Sequence, residues 1–465
     1  MHTLIKRIEK DFLGEHELSN DSFYGIHTKR ALENFQVSGL VTSIYPQFII
    51  AIAKLKKASA KANNELSMLD DKLANTIIQA CDKIIAGEYH NQFVVDPIQG
   101  GAGTSMNMNA NEVIANIALE LMGKSKGDYS VLNPIDHVNL SQSTNDVYPS
   151  SIKVATLDCS KDLITEIKNL IKAFDAKAIE FKDIIKTGRT QLQDAVPMTL
   201  GQAFATYSNQ LSLSIETIEA THNTLFGLNM GATAIGTGIT SHPAYSKTVE
   251  KHIKSVIGND FYIMENLFTG TQDASGFAFV SAGLKRFAVQ LSKICNDLRL
   301  LSSGPNTGLG EINLPSRQAG SSIMPGKVNP VIPEVVNQVC FQVIGYDTAI
   351  SFACEGGQLE LNAFEPLIAN NLFSGMSMLI NALKTLRINC VDGITANVDT
   401  CLHYAENNIS IVTALRNYIG YSNCSKIAKI ALKEKKSVYQ VTLELGLMEE
   451  KQLKELLDLH KMISI

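Results

Sequence analysis

Five long segments of this chain carry apolar residues at intervals of three and four positions and contain almost no proline. They are residues 151–183, 197–226, 270–303, 331–355 and 360–390. This spacing places the apolar side chains on one face of an α-helix. A helix of roughly 30 residues would extend roughly 45 Å. The sequence therefore predicts a mainly α-helical protein built on a bundle of long helices.

The long helices also predict how the chain is divided. We expect an N-terminal, mostly helical domain at 1–143, a central long-helix bundle at 144–398 and a small C-terminal helical domain at 399–465. Within the last domain, Gly420 predicts a stop and restart between two helices. The long helices carry more apolar surface than one chain can cover, so several of their faces are expected to pack against sister subunits.

Composition excludes several classes of partner. The 465 residues include 41 Lys and Arg against 46 Asp and Glu, and the absence of a basic block argues against binding nucleic acid or an anionic membrane. No apolar run reaches the roughly 18 residues that a membrane span needs. Residues 1–10 carry charges where a secretory leader has its apolar core. The eight cysteines lie singly, without the spacing of a disulfide framework or a zinc site, so we expect a cytoplasmic protein.

The segment most informative about function is 320–330, Gly-Ser-Ser-Ile-Met-Pro-Gly-Lys-Val-Asn-Pro. Its glycines allow backbone N–H groups to face a ligand, or the loop to move as a lid. Ser321 and Ser322 supply hydroxyl groups. Lys327 supplies a point charge and Asn329 a neutral donor. A generic surface turn is the alternative, but the order of these residues favours a loop that binds an anionic substrate.

Three glycines precede a helical pattern in the segment 99–107, Gln-Gly-Gly-Ala-Gly-Thr-Ser-Met-Asn. Such a run favours backbone N–H groups aimed at an anion at the start of a helix, where Thr104 would lie. The Gly-Lys-Ser/Thr of a P-loop and the Gly-x-Gly-x-x-Gly of dinucleotide-binding proteins are both absent. A carboxylate therefore fits this segment better than a phosphate, and a tight turn without function is the alternative.

The segment 139–146, Asn-Leu-Ser-Gln-Ser-Thr-Asn-Asp, ends in consecutive hydrogen-bonding side chains before a helix. Any one of them could cap that helix, but one cap uses only one side chain. We therefore take Ser143, Thr144 and Asn145 as ligand-binding candidates. Asp146 is interpreted as structural.

The segment 187–197, Thr-Gly-Arg-Thr-Gln-Leu-Gln-Asp-Ala-Val-Pro, is predicted to be a polar loop next to long helices. Thr190 and Gln191 lie at its centre, where a ligand would meet them. Arg189 and Asp194 are interpreted as an ion pair that braces the turn rather than as substrate ligands.

Together the four segments offer hydroxyl groups, amides, backbone donors and one lysine, with no paired carboxylates, no cluster of metal ligands and no histidine. His137 lies shortly before Ser143 and is interpreted as a structural donor. This set of groups suits a substrate with two carboxylates and a reaction that builds up negative charge on oxygen. We expect no metal ligand among the site residues.

These segments resemble the signature regions of the fumarase/aspartase superfamily. The eleven residues 320–330 carry the most specific match, and the similarity runs from Tyr-Gly-Ile-His-Thr at 24–28 to Val-Val-Asn-Gln-Val at 335–339. Gly-Gly-Ala-Gly-Thr-Ser at 100–105 and Gln-Ser-Thr-Asn-Asp at 142–146 are similar to the aspartase branch. Fumarases tend instead toward Gly-Ser-Gly-Thr-Gln.

The resemblance implies a three-domain, mainly α subunit whose long helices form the core of a homotetramer, with each active site shared between three subunits. It implies the reversible anti-elimination of ammonia from L-aspartate to fumarate through an aci-carboxylate (enediolate) intermediate, with Ser321 as general base on a flexible loop. The residues implied to bind the substrate are Thr104, Ser143, Thr144, Asn145, Thr190, Gln191, Ser322, Lys327 and Asn329. No organic cofactor is implied, and activation by Mg²⁺ cannot be read from the sequence.

Gln191 departs from many members of the superfamily, which have histidine at this position. Glutamine can donate a hydrogen bond but does not titrate, which excludes a proton-transfer role here. Ser321 could act as a base only if loop amides and Lys327 stabilised its alkoxide. The alternatives are a fumarate hydratase, which shares the carbanion step, and a catalytically silent relative kept as a structural protein. A dicarboxylate sensor would lack an output module.

Overall fold

The computed structural model describes residues 6–463, and residues 1–5 and 464–465 lie outside the described residues. Half of the segment 1–10, which the sequence distinguishes from a secretory leader, is therefore outside this range. The α-helices are α1 (Ile26–Asn34), α2 (Pro46–Glu65), α3 (Asp71–Ile85), α4 (Thr104–Leu121), α5 (Thr144–Glu180), α6 (Leu200–His222), α7 (Tyr245–Val256), α8 (Leu267–Gln272), α9 (Ser275–Leu301), α10 (Val331–Glu355), α11 (Glu365–Asn389), α12 (Val398–Glu406), α13 (Arg416–Glu434), α14 (Val438–Glu444), α15 (Glu450–Leu456) and α16 (Leu459–Ile463). The prediction of a mainly α protein is confirmed.

Eight short strands accompany the helices in the described part of the chain, and they pair two by two. They are β1 (Lys6–Asp11), β2 (Gly14–Ser19), β3 (Ile185–Thr190), β4 (Gln193–Thr199), β5 (Gly227–Leu228), β6 (Tyr262–Ile263), β7 (Ile312–Asn313) and β8 (Thr395–Ala396). The pairs β1–β2, β3–β4 and β7–β8 are antiparallel, and β5–β6 is parallel. None of these strands follows from the helical spacing of the sequence.

The five segments with helical spacing are the five longest described helices, α5, α6, α9, α10 and α11. The boundaries of α10 are those predicted, whereas α5 begins at Thr144, seven residues before the predicted 151. The difference arises because Pro149 lies inside α5. Proline lacks the N–H that would bond the carbonyl of Asn145 four residues earlier, and the side chain of Asn229 donates to that carbonyl instead, at 2.9 Å.

Local signals set several helix ends. The side chain of Asp70 accepts hydrogen bonds from the backbone of Lys72 and Leu73 at the start of α3. At the start of α14, Ser437 and Gln440 form a reciprocal capping box. Gly420 has φ 78° and ψ 158° inside α13, which breaks the helix where the sequence predicts a stop and restart.

The chain clusters into two compact units, each assembled from three stretches of sequence. The first comprises residues up to 164 with 216–288 and 341–380, and the second comprises 165–215, 289–340 and the residues from 381 onward. Each of the five long helices has residues in both units. The division into domains at 1–143, 144–398 and 399–465 stays a prediction.

In the first unit, α2 packs against α3 and α7, while α4 packs against α3 and α1. Ile49, Ile52 and Leu55 of α2 are fully buried between these helices. In the second unit, β3 packs against α12, and the turn Ile409–Leu415 packs against α13. Burial of these apolar faces supplies the main stabilising free energy of both units.

A separate apolar cluster forms the core of the C-terminal part of the second unit. Its buried members are Ile411, Val412, Leu415, Cys424, Ile427, Ala431, Val438, Val441 and Leu453. All eight cysteines of the chain are free thiols, and Cys354 alone among them is half-buried rather than buried. No described helix is both long enough and apolar enough to cross a membrane.

Candidate active site

The segment that leads into α5 is fixed by hydrogen bonds to the carboxylate of Asp146. One carboxylate oxygen of Asp146 accepts from the backbone of Ser143 at 3.0 Å, and the other accepts from the backbone of Thr233 at 3.0 Å and of Gly231 at 3.3 Å. Burial raises the pKa of the Asp146 carboxyl to about 7. Asp146 is therefore a structural anchor, as the sequence indicated, and the side chain of Ser143 remains half-exposed.

Asn145 is fixed by two contacts with the segment 229–234. Its carbonyl accepts from the side chain of Asn229, and its own amide donates to the carbonyl of Ala234 at 2.7 Å. Asn229 is fully buried and also accepts from the hydroxyl of Ser150 at 3.1 Å. Sequence reasoning missed Asn229, and Pro149 was the available signal, because a proline inside a helix leaves the carbonyl four residues earlier in need of a donor.

Thr104 begins α4, directly after three residues in left-handed conformation. The φ values of Gly101, Ala102 and Gly103 are 81°, 53° and 90°. A Cβ at Gly103 would lie 2.5 Å from the ring of Tyr148 in α5, so only glycine allows α4 to begin this close to α5. Thr104 is exposed, and its hydroxyl has no hydrogen-bond partner within residues 6–463. The glycine run therefore presents a free hydroxyl group at a helix start.

The segment that carries Thr190 and Gln191 is a β-hairpin, so its prediction as a loop was wrong. Thr190 pairs with Gln193 across the turn, and both turn residues, Gln191 and Leu192, have left-handed φ values of 54° and 61°. Two-residue hairpin turns of type I′ require this conformation, which is unfavourable for residues other than glycine, asparagine and aspartate. Thr190 and Gln191 are both exposed at the tip of the hairpin.

The hairpin is anchored by a buried carboxylate rather than by the pair that the sequence suggested. Arg189 lies beside Asp194 in the strand register, but its guanidinium contacts Glu311 at 2.5 Å. Lys186 contacts the second oxygen of Glu311 at 3.1 Å. The carboxylate of Glu311 is fully buried, and nothing in its local sequence indicated this role.

A second anchor of the hairpin comes from Asn408. Its amide donates to the carbonyl of Ala195 in β4 and lies 3.4 Å from the hydroxyl of Thr187. Ser410, two residues later, donates to the carbonyl of Asp194 at 3.0 Å. These contacts and those of Glu311 hold both strands, which leaves the tip exposed on a rigid base.

The loop 320–330 closes on itself through backbone contacts. The N–H of Gly320 donates to the carbonyl of Lys327 at 2.7 Å, and the amide of Asn329 donates to the carbonyl of Gly320 at 2.6 Å. A Cβ at Gly320 would lie 2.6 Å from the carbonyl oxygen of Lys327, so glycine is required there. Asn329 thus fixes the base of the loop directly before Ser321.

Within the loop, the hydroxyl oxygen of Ser321 accepts from two backbone N–H groups. The donors are Ile323 at 3.2 Å and Met324 at 3.0 Å. Ser322 and Lys327 are exposed, and Lys327 forms no ion pair with any described residue. The loop therefore presents two groups to a ligand. One is the Ser321 oxygen, which accepts from two N–H dipoles, and the other is the solvent-exposed ammonium of Lys327.

The sequence-predicted site residues fall into two groups. Those in the first unit are Thr104, Ser143, Thr144 and Asn145, and those in the second unit are Thr190, Gln191, Ser321, Ser322, Lys327 and Asn329. In the first unit, a hydrogen bond of 3.0 Å between Asn107 and Thr144 joins the first turns of α4 and α5. All ten side chains are polar, and the described residues contain no group of three or more His, Cys, Asp or Glu placed to hold a metal ion.

Comparisons with known proteins cover nearly the whole chain. A family model described as Lyase matches residues 14–345, and one described as Fumarase C C-terminus matches residues 411–464. Aspartate ammonia-lyase of Helicobacter pylori (strain 26695) is 54% identical over 458 residues, which cover 98% of each chain.

Two solved structures show the same fold. A fumarate lyase:delta crystallin from Brucella melitensis, bound to cobalt, has a TM-score of 0.96 and 48% identity, covering 99% of this chain and 100% of its own. A recombinant class II fumarase from Schistosoma mansoni has a TM-score of 0.92 and 32% identity, covering 98% of this chain and 99% of its own. The chain therefore belongs to the fumarase/aspartase superfamily and, within it, to the aspartate ammonia-lyase family of carbon–nitrogen lyases.

Proposed function

We propose that this protein catalyses the reversible elimination of ammonia from L-aspartate to give fumarate. The observation that carries the proposal is the environment of Ser321, whose hydroxyl oxygen accepts two backbone N–H groups on a loop that also carries Lys327. Donors aimed at an oxygen favour its anionic form. The relatives named aspartate ammonia-lyase, at 54% identity over 98% of the chain, support the choice of substrate.

In the proposed mechanism, the Ser321 oxygen removes a proton from the Cβ carbon of aspartate. The electron pair moves into the neighbouring carboxylate and forms a dianionic aci-carboxylate. Such a species needs donors already in place, because reorganising solvent around it would be slow and costly. Ser322, Lys327 and the backbone N–H groups of the loop are the proposed donors. A serine base is otherwise weak near neutral pH, so the two N–H donors to Ser321 are essential to the scheme.

In the second step, the electron pair returns and the Cα–N bond breaks on the opposite face. The leaving group is the substrate's own ammonium, which departs as ammonia without receiving a proton from the protein. Gln191 is consistent with such a step, because it donates a hydrogen bond and does not titrate. Thr104, Ser143, Thr144, Asn145, Thr190, Gln191 and Asn329 are proposed to hold the substrate. The reaction involves no net oxidation or reduction, so we propose no organic cofactor.

We also propose that the protein is a cytoplasmic homotetramer whose active sites take residues from three subunits. The support for an oligomer is the apolar surface left exposed on the long helices of a single chain. Exposed large apolar side chains on these helices include Phe279, Val289, Val335, Phe341, Phe352 and Ile388. Burial of such faces between copies is the usual reason for homo-oligomers of long helices.

One assay separates the proposed activity from its alternatives. The purified protein is mixed with L-aspartate, and both released ammonia and the ultraviolet absorbance of fumarate are followed. The proposal expects both to rise together. In the reverse direction, fumarate should be consumed only when ammonium is present. Consumption of fumarate without ammonium would instead identify a hydratase, and no change in either direction would identify a catalytically silent relative.

A further inference from the structure

A buried amide network lies behind the candidate site residue Thr144, and Asn139 is at its centre. The amide nitrogen of Asn139 donates to the backbone carbonyl of Gln142 at 3.1 Å. A backbone carbonyl can only accept, so this contact determines which end of the Asn139 side chain carries the oxygen. That oxygen therefore faces the opposite side, toward α2 and α4.

The Asn139 oxygen accepts from three donors. They are the ammonium of Lys56 at 2.9 Å, the amide of Asn111 at 3.1 Å and the amide of Asn107 at 3.2 Å. Lys56, Asn107 and Asn111 are all at most 1% exposed. Because the Asn139 oxygen can only accept, Asn107 must present its NH₂ group to it. The orientation of Asn107 thus follows from that of Asn139.

The same NH₂ group of Asn107 makes a second contact, to the hydroxyl oxygen of Thr144 at 3.0 Å. Thr144 is 9% exposed, and its hydroxyl has no other hydrogen-bond partner among residues 6–463. A hydroxyl oxygen that accepts from an amide keeps its own proton for a different acceptor. Since Asn107 presents only its NH₂ group to this oxygen, Asn107 cannot accept the Thr144 proton.

We propose that Asn107 is a positioning residue that commits the hydroxyl of Thr144 to donating its proton to a substrate carboxylate. The inference rests on the proposed function, because it takes Thr144 as a substrate ligand. The orientation of the Thr144 O–H bond matters for binding. A hydroxyl that points its proton at a carboxylate attracts the carboxylate, whereas one that points its oxygen lone pairs at a carboxylate repels it. The Gln142 carbonyl fixes the orientation of the Asn139 amide, which fixes that of the Asn107 amide, and Asn107 in turn donates to the hydroxyl oxygen of Thr144.

Asn111 provides a matched control. It is the same residue type, one turn further along α4, fully buried, and it donates to the same Asn139 oxygen. Its other contact is with the sulfur of Met108 at 3.6 Å, and it does not touch Thr144. A purely structural role for the network predicts equal effects of changing Asn107 and Asn111, whereas the proposed role predicts an effect on substrate affinity for Asn107 alone.

The test measures the affinity of the full-length protein for succinate, an unreactive dicarboxylate, by calorimetry. Loss of a hydrogen bond to a charged group typically weakens binding by roughly ten-fold or more. Asn107→Leu should approach that loss, and Asn107→Asp, which would accept the Thr144 proton, should exceed it. Asn111→Leu should bind as wild type does. In a Thr144→Val background, Asn107→Leu should add less than roughly a two-fold change, because the coupled group is gone.

Equal losses of affinity in Asn107→Leu and Asn111→Leu would overturn the inference. So would full additivity of Asn107→Leu with Thr144→Val. If the Asn107 variants fail to fold, variants of Thr144 provide the test. Thr144→Val should weaken succinate binding, whereas Thr144→Ser, which keeps the hydroxyl group, should bind as wild type does. Wild-type affinity in Thr144→Val would overturn the inference. Wild-type protein that binds succinate but releases no ammonia from L-aspartate would contradict the proposed lyase activity alone, and the binding comparison would still decide the role of Asn107.

Discussion

The fully buried carboxylate of Glu112 accepts a hydrogen bond of 2.6 Å from the hydroxyl of Thr28, 84 positions away in the chain. The backbone N–H groups of Gly25, His27 and Thr28 also donate to it, at 2.8, 2.8 and 3.1 Å. Glu112 thereby joins the start of α1 to the middle of α4. Burial nevertheless outweighs these donors and raises the pKa of Glu112 to about 7.

This pKa predicts a pH dependence of stability. A carboxyl group whose pKa rises from 4.5 in the unfolded chain to about 7 in the folded chain binds its proton more tightly when folded. Its contribution to stability is complete below pH 4.5, falls as the pH rises to 7 and is constant above. The loss across this window is about 3 kcal/mol. Glu112→Gln removes the titration, so the difference in unfolding free energy between wild type and this variant should decline from pH 4.5 to 7. A difference that does not change with pH would contradict the prediction.

Glu311→Gln should destabilise the protein strongly. The change leaves Lys186 and Arg189, with side chains 6% and 14% exposed, without their shared counter-charge. Removing one partner of a buried ion pair typically costs ~3–5 kcal/mol. The measurement is the midpoint of chemical or thermal unfolding. Glu17→Gln is the control, because the Lys6–Glu17 pair is 61% exposed on both sides and its loss should leave the midpoint unchanged.

Ser321→Ala should lower kcat far more than it changes substrate affinity. General-base assistance alone is typically worth ~10²–10⁴ in rate. Succinate binding should change little, because Lys327 and the other proposed ligands remain. Ser322→Ala is the neighbouring control for disruption of the loop, and it should weaken binding and slow turnover moderately. Equal losses of kcat in the two variants, or a Ser321→Ala variant within ten-fold of wild type, would mean that the base has been wrongly assigned.

Lys327→Ala should raise KM for L-aspartate and slow turnover. The side chain is exposed and unpaired in the described part of the chain, so its charge is available to a substrate carboxylate. Loss of such a charged hydrogen bond typically costs ~1.5–3 kcal/mol, or roughly ten- to a hundred-fold. Steady-state kinetics test this, with Lys182→Ala as an exposed lysine control outside the loop. Unchanged constants in Lys327→Ala would remove Lys327 from the site.

Sedimentation equilibrium should give a mass about four times the 50.7 kDa of the chain, as expected for a homotetramer. Phe352→Glu on α10, at a side chain 72% exposed in the single chain, should lower this mass and abolish activity together. Leu432→Glu on α13 is the control, since it is 67% exposed but lies outside the long helices. A fully active monomer would exclude active sites shared between subunits.

Some contacts of the candidate site residues are local in the sequence. The hydrogen bonds of Ser321 to Ile323 and Met324 span only two and three positions and lie within the loop that the sequence singled out. Asp146 likewise contacts Ser143 three positions away. The supporting residues Asn107, Asn229 and Glu311 could not be identified in this way. Asn107 acts on a residue 37 positions away in the chain, Asn229 on one 84 positions away and Glu311 on one 122 positions away.

By itself, the sequence determined the mainly helical architecture, because the three-and-four spacing of apolar residues is a property of each segment alone and predicts which face is buried. It also determined the break at Gly420, since left-handed backbone is open to glycine wherever it occurs. The tertiary structure alone decided that 185–199 forms a hairpin rather than a loop. Its turn residues Gln191 and Leu192 have no intrinsic preference for the left-handed conformation that they adopt. That conformation persists because contacts from residues distant in the chain, Glu311 and Asn408, hold the two strands together.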